Sequence, residues 1–153
     1  MRIALGQLES GTDILANLAV IDRFAAEAVR EGAELVAFPE YATYEKKKVD
    51  ATFPVMAEPL DGPICQELAG IARRHRIALG AGVVERSEEP GKAYNTEVAF
   101  GPAGNRLDCY RMSHLFDAQG FGETTFKQPG TSPGPGGCQH EGIRFDQMTC
   151  HKL

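Results

Sequence analysis

The first residue that could do chemistry is a carboxylate. Glu40 follows the run Leu35-Val36-Ala37-Phe38-Pro39. The four apolar residues suit a strand covered on both faces, and Pro39, with no N–H to give a ladder, ends it. Glu40 therefore stands at a strand's carboxyl end, where the loops of open α/β sheets converge on ligands. A carboxylate held there can take or return a proton; a solvated turn residue is the alternative these residues alone leave open. The four cysteines, Cys65, Cys109, Cys138 and Cys150, are scattered with no C-x-x-C pair. That argues against a disulfide framework and against a zinc ribbon. Cys138 with His140, or Cys150 with His151, would offer a metal two ligands, but no second pair stands at a suitable spacing, so no metal site is expected.

The elements that must carry these residues can be read from periodicity. Arg2 to Leu8 reads as a short strand, and Thr12 or Asp13 is a suitable N-cap for a helix after it. Leu18, Ile21, Phe24, Ala25, Ala28 and Val29 recur at helical spacing up to Gly32, which ends the helix. With a buried strand over Ala33 to Phe38, the first forty residues form a strand-helix-strand unit whose strands should lie parallel. Tyr44 to Pro63 reads as a long connection, broken by Pro54, Pro59, Gly62 and Pro63 and carrying a solvated lysine run at Lys46 to Lys48. A second helix, capped by Asp61 and entered through Pro63, runs to Arg73-Arg74-His75-Arg76, whose charge complements the helix dipole. Ile77 to Val84 is a further buried strand, and Asn95 to Phe100 with Arg106 to Arg111 form a hairpin, so the sheet is mixed. Pro129 to Gly142, rich in glycine and proline, can be neither helix nor central strand, whereas Ile143 to Thr149 alternates like a strand that ends at Cys150.

At 153 residues the chain has the length of one domain, and 42% hydrophobic with 24% charged residues is an ordinary globular composition. A formal charge of −5 disfavours nucleic acid, which needs phosphate-neutralising charge. No apolar run approaches the length of a bilayer crossing, and the first residues lack a signal peptide's core, so a cytoplasmic protein without a membrane partner is expected. No G-x-G-x-x-G loop comes after the first strand, which removes the main support for an unrelated α/β small-molecule binder.

Three segments taken together, Phe38-Pro39-Glu40-Tyr41, Tyr110-Arg111-Met112-Ser113-His114-Leu115-Phe116-Asp117 and Met148-Thr149-Cys150, resemble in order and spacing the nitrilase-like carbon–nitrogen hydrolases. The resemblance covers nearly the whole chain. It implies an α-β-β-α sandwich, here incomplete, with a mixed sheet and helices on one face; residues 1–153 would form a partial domain of that family. It also implies no metal or organic cofactor, subunits that pair into homo-oligomers, and a small amide, nitrile or carbamoyl substrate. By resemblance Cys150 matches the nucleophile, Glu40 the general base, and Glu123, in Gly120-Phe121-Gly122-Glu123-Thr124, the additional glutamate found between the lysine and cysteine motifs.

The chain departs from the pattern in two places. Met112 stands where the family has its lysine, and a thioether neither carries charge nor donates a hydrogen bond. Arg111, one residue away on a strand, should point to the opposite face. After Cys150 only His151-Lys152-Leu153 remain, so the chain reads as an N-terminal half. Two functions stay open: a thiol amidohydrolase built on Cys150 and Glu40, and a non-catalytic remnant serving as a binding or assembly module. His114 reads as a positioning or satisfied histidine rather than a base, Tyr41 and Phe116 as core or pocket lining, and the other three cysteines as bystanders.

Overall fold

The computed structural model describes residues 1–115, 117, 122–131, 137–140 and 143–146, the last two ranges as backbone. Five strands make one sheet in chain order: β1 (Ile3–Leu5), β2 (Leu35–Ala37), β3 (Ala78–Arg86), β4 (Ala93–Phe100) and β5 (Arg106–Arg111). The pairings β1 with β2 and β2 with β3 are parallel; β3 with β4 and β4 with β5 are antiparallel. This is the mixed α/β sheet that the sequence predicts.

Two helices, α1 (Ile14–Arg30) and α3 (Pro63–His75), supply the layer on one face. Their apolar stripes, including Leu18, Ile21, Ala25, Leu68 and Ile71, pack with Leu79, Ala81 and Val83 of β3 and Val98 and Phe100 of β4 into the main core. Strand alternation then assigns Gly80, Gly82, Val84, Asn95 and Glu97 to the opposite face. The same alternation leaves Ile3 and Leu5 of β1 exposed, Leu5 at 82%. Among the described residues, α1 and α3 on the five-stranded sheet make one helical layer and one sheet layer of the α-β-β-α sandwich that the resemblance implies.

Local chemistry explains the ends of the helices. Asp13 caps α1, its side chain accepting from the Ala16 N–H at 3.1 Å. Helix α3 is capped differently from the sequence expectation: Gly62, not Asp61, is its N-cap, and the Glu58 carboxylate accepts from the Ile64 N–H at 2.9 Å. The longer Glu58 side chain reaches the helix start from the preceding bridge with Glu85 and supplies the acceptor. The basic end of α3 is structural, as the dipole argument expects: Arg74 and His75 both meet Asp22 of α1.

Two elements go beyond the sequence expectation. A short helix, α2 (Thr52–Met56), runs through Pro54, which lies in the first turn, where a missing N–H costs nothing. Its Phe53 packs with Tyr44, Val84 and Ala93 in a second small core, on the side of the sheet away from α1 and α3. Within the glycine-rich stretch, β6 (Gly137–His140) pairs antiparallel with β7 (Ile143–Asp146) in a separate two-stranded sheet. No described helix is long and apolar enough to cross a membrane.

The turn bearing Glu40 is fastened against β3. Phe38 N–H donates to the Gly80 carbonyl at 2.8 Å, and Gly82 N–H to the Pro39 carbonyl at 3.3 Å. The Thr43 N–H and hydroxyl both donate to the Gly82 carbonyl. From the other side the buried Asn17 of α1 donates to the Thr43 carbonyl at 2.9 Å. A Cβ at Gly82 would lie 2.5 Å from the Tyr41 nitrogen and 2.9 Å from the Glu40 Cα, so the turn sits where only hydrogen fits. Because the obstructing atoms are backbone, Gly82→Ala is expected to destabilise the fold by about 1–3 kcal/mol; urea unfolding that shows no loss would mean the turn is not pinned there.

Candidate functional site

The turn after β2 and the rim of the hairpin bring Glu40, Asn95, Glu97 and Met112 to one face of the sheet. Glu40 is half-buried. Its Oε1 accepts a hydrogen bond from the Asn95 side-chain amide on β4. The same amide nitrogen lies 3.5 Å from the Met112 sulfur. Asn95 and Met112 are brought side by side because the β4–β5 ladder pairs Thr96 with Arg111, after which Met112 N–H donates to the Asn95 carbonyl at 2.8 Å. Met112 is 2% exposed. Two positions that the sequence singles out, Glu40 and Met112, are therefore joined through a third that it does not.

Arg111 goes to the other face, as expected. It forms a two-point pair with Glu85, donating through Nε at 2.8 Å, while Thr96 donates its hydroxyl to the same carboxylate at 2.7 Å. The guanidinium is also stacked 4.2 Å above the Tyr94 ring. These contacts commit Arg111 to neutralising a buried carboxylate, so it brings no charge to Glu40.

A second carboxylate shares the Glu40 face. Glu97, two residues along β4 from Asn95, is pushed up to about 8, by burial first and then by the charge of Glu40. It therefore keeps its proton at neutral pH, leaving Glu40 beside a neutral acid instead of a second anion.

Glu123 opens a 3₁₀ turn (Glu123–Thr125), and its carboxylate pairs with Lys127 at 2.8 Å. The Lys127 ammonium sits 4.7 Å from the centre of the Tyr41 ring, and the side chain is 2% exposed. The residue after Glu40 thus touches the partner of Glu123. Tyr41 also packs edge-on against Phe53 at 5.4 Å, in keeping with a core role. Its φ of 58° is the left-handed region that a non-glycine residue enters at a cost of about 1 kcal/mol or more. Strain of this kind at the residue after Glu40 is offset by the hydrogen bonds that fasten the turn.

Other candidates fall away from this cluster. His114 is exposed, its Nδ1 bonded to the Ser113 hydroxyl at 3.0 Å. Cys65 is buried in the core, where burial pushes its thiol up to about 11, and burial raises Cys109 as well. Cys150, Phe116 and His151 lie outside the described residues, as do the side chains of Cys138 and His140. Among the described residues no three His, Cys, Asp or Glu side chains converge as a metal would need. Sequence reasoning missed Asn95 and Lys127. Asn95 was detectable in principle, because pairing the predicted hairpin strands sets it opposite Met112; Lys127 was signalled only by its i, i+4 spacing from Glu123.

The described fold is a mixed α/β sheet under one helical layer that presents a fastened glutamate beside the segment Tyr110-Arg111-Met112-Ser113-His114-Leu115. The family described as Carbon-nitrogen hydrolase matches residues 2–146, and the chain belongs to that family. It is 39% identical over 155 residues to Hydrolase Rv0480c of Mycobacterium tuberculosis, covering 100% of this chain and 53% of the relative. It is 37% identical over 134 residues to the human omega-amidase NIT2, covering 87% of this chain and 48% of the relative. Among solved structures, an amidase from Nesterenkonia sp. superposes with a TM-score of 0.81 at 27% identity, over 95% of this chain and 54% of the amidase. A cysteine-to-alanine mutant of the Nesterenkonia amidase in complex with butyramide superposes with a TM-score of 0.79 at 26% identity, over 95% and 54%. The chain spans about half the length of the relatives it matches.

The raised Glu97 gives a pH test of this cluster. Unfolded, its carboxyl has the ordinary value of 4.5; folded, about 8. Between the two the folded chain holds a proton that the unfolded chain has lost, so this residue's contribution to stability falls as pH rises across that window. Glu97→Gln removes the dependence. The urea midpoint of the wild type should therefore drop relative to the variant from about pH 5 to about pH 8, and parallel midpoints would place Glu97 in an ordinary environment.

Proposed function

We propose that the chain carries the thiol and carboxylate of an amide-hydrolysing site, with Cys150 as nucleophile, Glu40 as general base and Glu123 as the accessory glutamate. The observation that carries this reading is the fixed position of Glu40. It projects from a turn locked to Gly82, and a side-chain amide orients its carboxylate on the face where the motif position 112 also lies. Glu40 takes the thiol proton as sulfur attacks the amide carbon, and returns it to the departing nitrogen as ammonia leaves. Water, giving its proton to the same carboxylate, then opens the thioester, and the thiol recovers a proton as the carboxylic acid is released. Carbon–nitrogen hydrolase membership supports the reaction class. The omega-amidase name of one relative and the butyramide bound by the Nesterenkonia amidase mutant support a small aliphatic amide over a nitrile or a carbamoyl compound.

Met112 favours a second reading, a chain that keeps the fold as a binding module with little turnover. Losing one oxyanion donor typically costs about a hundred- to a thousandfold in rate. Both readings meet in one experiment. With an activated thiolate, iodoacetamide should label Cys150 faster than Cys65, Cys109 and Cys138, the first two of which have raised thiol values. Glu40→Gln should slow that labelling and cut ammonia release from butyramide by about a hundredfold or more. Equal labelling of all four cysteines, unaffected by Glu40→Gln, would leave only the binding-module reading.

A further inference from the structure

We infer that Lys127 supplies the positive charge of the Glu40 site in place of the side chain at 112, an inference that rests on the hydrolase reading above. Attack on an amide carbon leaves negative charge on its oxygen, and a site sheltered from water needs a fixed donor to hold it. Met112 offers none, and Arg111 is spent on Glu85 across the sheet.

Lys127 reaches the required face from another segment. Ala93 N–H donates to the Phe126 carbonyl at 2.9 Å, and Gln128 N–H donates to the Ala93 carbonyl at 3.0 Å. These bonds set Lys127 beside Ala93 in a parallel bridge. Paired residues of adjacent strands share a face, so the Lys127 side chain lies on the side of Ala93 and of Asn95, two residues further along. Two residues past Gln128, Gly130 N–H donates to the Met112 carbonyl at 2.9 Å, tying the lysine segment to the motif position itself.

The surroundings of the ammonium identify it as part of this cluster. A lysine buried to 2% exposure is costly unless paired. Its contacts are the Glu123 carboxylate at 2.8 Å and the face of Tyr41 at 4.7 Å, the residue adjoining the base. Neutralising Glu123 alone would need no such burial, since an i, i+4 pair can form at the surface. Glu40 and Glu97 share one face of the sheet, and the bridge to Ala93 brings Lys127, with its partner Glu123, to that same face.

Two measurements on the 153-residue chain test this. In the first, lysine side chains are labelled with carbon-13 at Cε, and the Lys127 signal is assigned by its loss in Lys127→Met. Met112→Lys adds a second ammonium to the same face, so Lys127 should titrate lower by about one unit or more than in the wild type. An unmoved titration shows that positions 112 and 127 do not serve one site and overturns the inference. This measurement needs no turnover, so it decides the placement of Lys127 even if the hydrolase reading fails. In the second, iodoacetamide labelling of Cys150 should slow by about tenfold in Lys127→Met and recover in the Lys127→Met, Met112→Lys double variant. Slowing without recovery, or no slowing at all, overturns the substitution of one lysine for the other. A wild type in which Cys150 reacts no faster than Cys65 overturns the hydrolase reading instead, and with it the catalytic role of Lys127.

Discussion

The contact on which the rest of the site depends is the approach of one backbone to another at Gly82. The turn after β2 crosses β3 so closely that a methyl group there would meet the Tyr41 nitrogen. Hydrogen bonds from both sides hold it: Gly80 and Gly82 accept from Phe38 and Thr43, and Asn17 reaches across from α1 to the Thr43 carbonyl. A buried turn must satisfy its amides and carbonyls somewhere, and here they are satisfied by the neighbouring strand and by one helical side chain. Tyr41, in the left-handed region at φ 58°, lies within this fastened turn, and the Asn95 amide holds the Glu40 carboxylate beside it.

Around this fixed point the sheet sorts charge by face. Under α1 and α3, Glu85 is buried and matched by Arg111 and Thr96, a closed arrangement with its charges cancelled. On the opposite face Glu97 lies near Glu40, and burial first and then the charge of Glu40 push its carboxyl up to about 8. A closed ion pair stabilises a fold by avoiding an unpaired buried charge; an acid held near neutrality and a carboxylate directed by an amide are arrangements that can exchange protons. The two sides of one hairpin thus hold their carboxyl groups in different ways.

Much of this is visible in the amino-acid order. The parallel strand-helix-strand unit, the hairpin and the opposite directions of Arg111 and Met112 follow from periods of 3.6 and 2, which local side-chain patterns report well, and capping chemistry narrows the start of α1 to Thr12 or Asp13. The features that escape are set by contacts distant in sequence. Glu58 displaces Asp61 as the acceptor at the start of α3 because a strand bridge delivers it there. Pro54 reads as a breaker, although a first-turn proline is compatible with a helix. β6 is hidden by the glycines and prolines around it. Asn95 and Lys127, both polar and ordinary in their own segments, acquire meaning only once the ladder sets them beside Glu40 and Tyr41. The fold class is legible because many residues encode it; the electrostatics of the site are not, because single residues do.

The β4–β5 ladder carries a register shift between Ala99 and Phe100. Since neighbouring strand residues face opposite ways, that irregularity acts as a parity bit for everything after it. With the bulge counted, a thioether is turned toward Glu40 and a guanidinium toward Glu85; shifted by one position, the assignment would invert. A single inserted or deleted residue in the turn at 101–105 could therefore exchange an apolar side chain for a permanent cation beside Glu40 while stripping Glu85 of its counter-charge, with no substitution in either motif. Loop length in this hairpin is in effect a determinant of charge at a site several strand residues away.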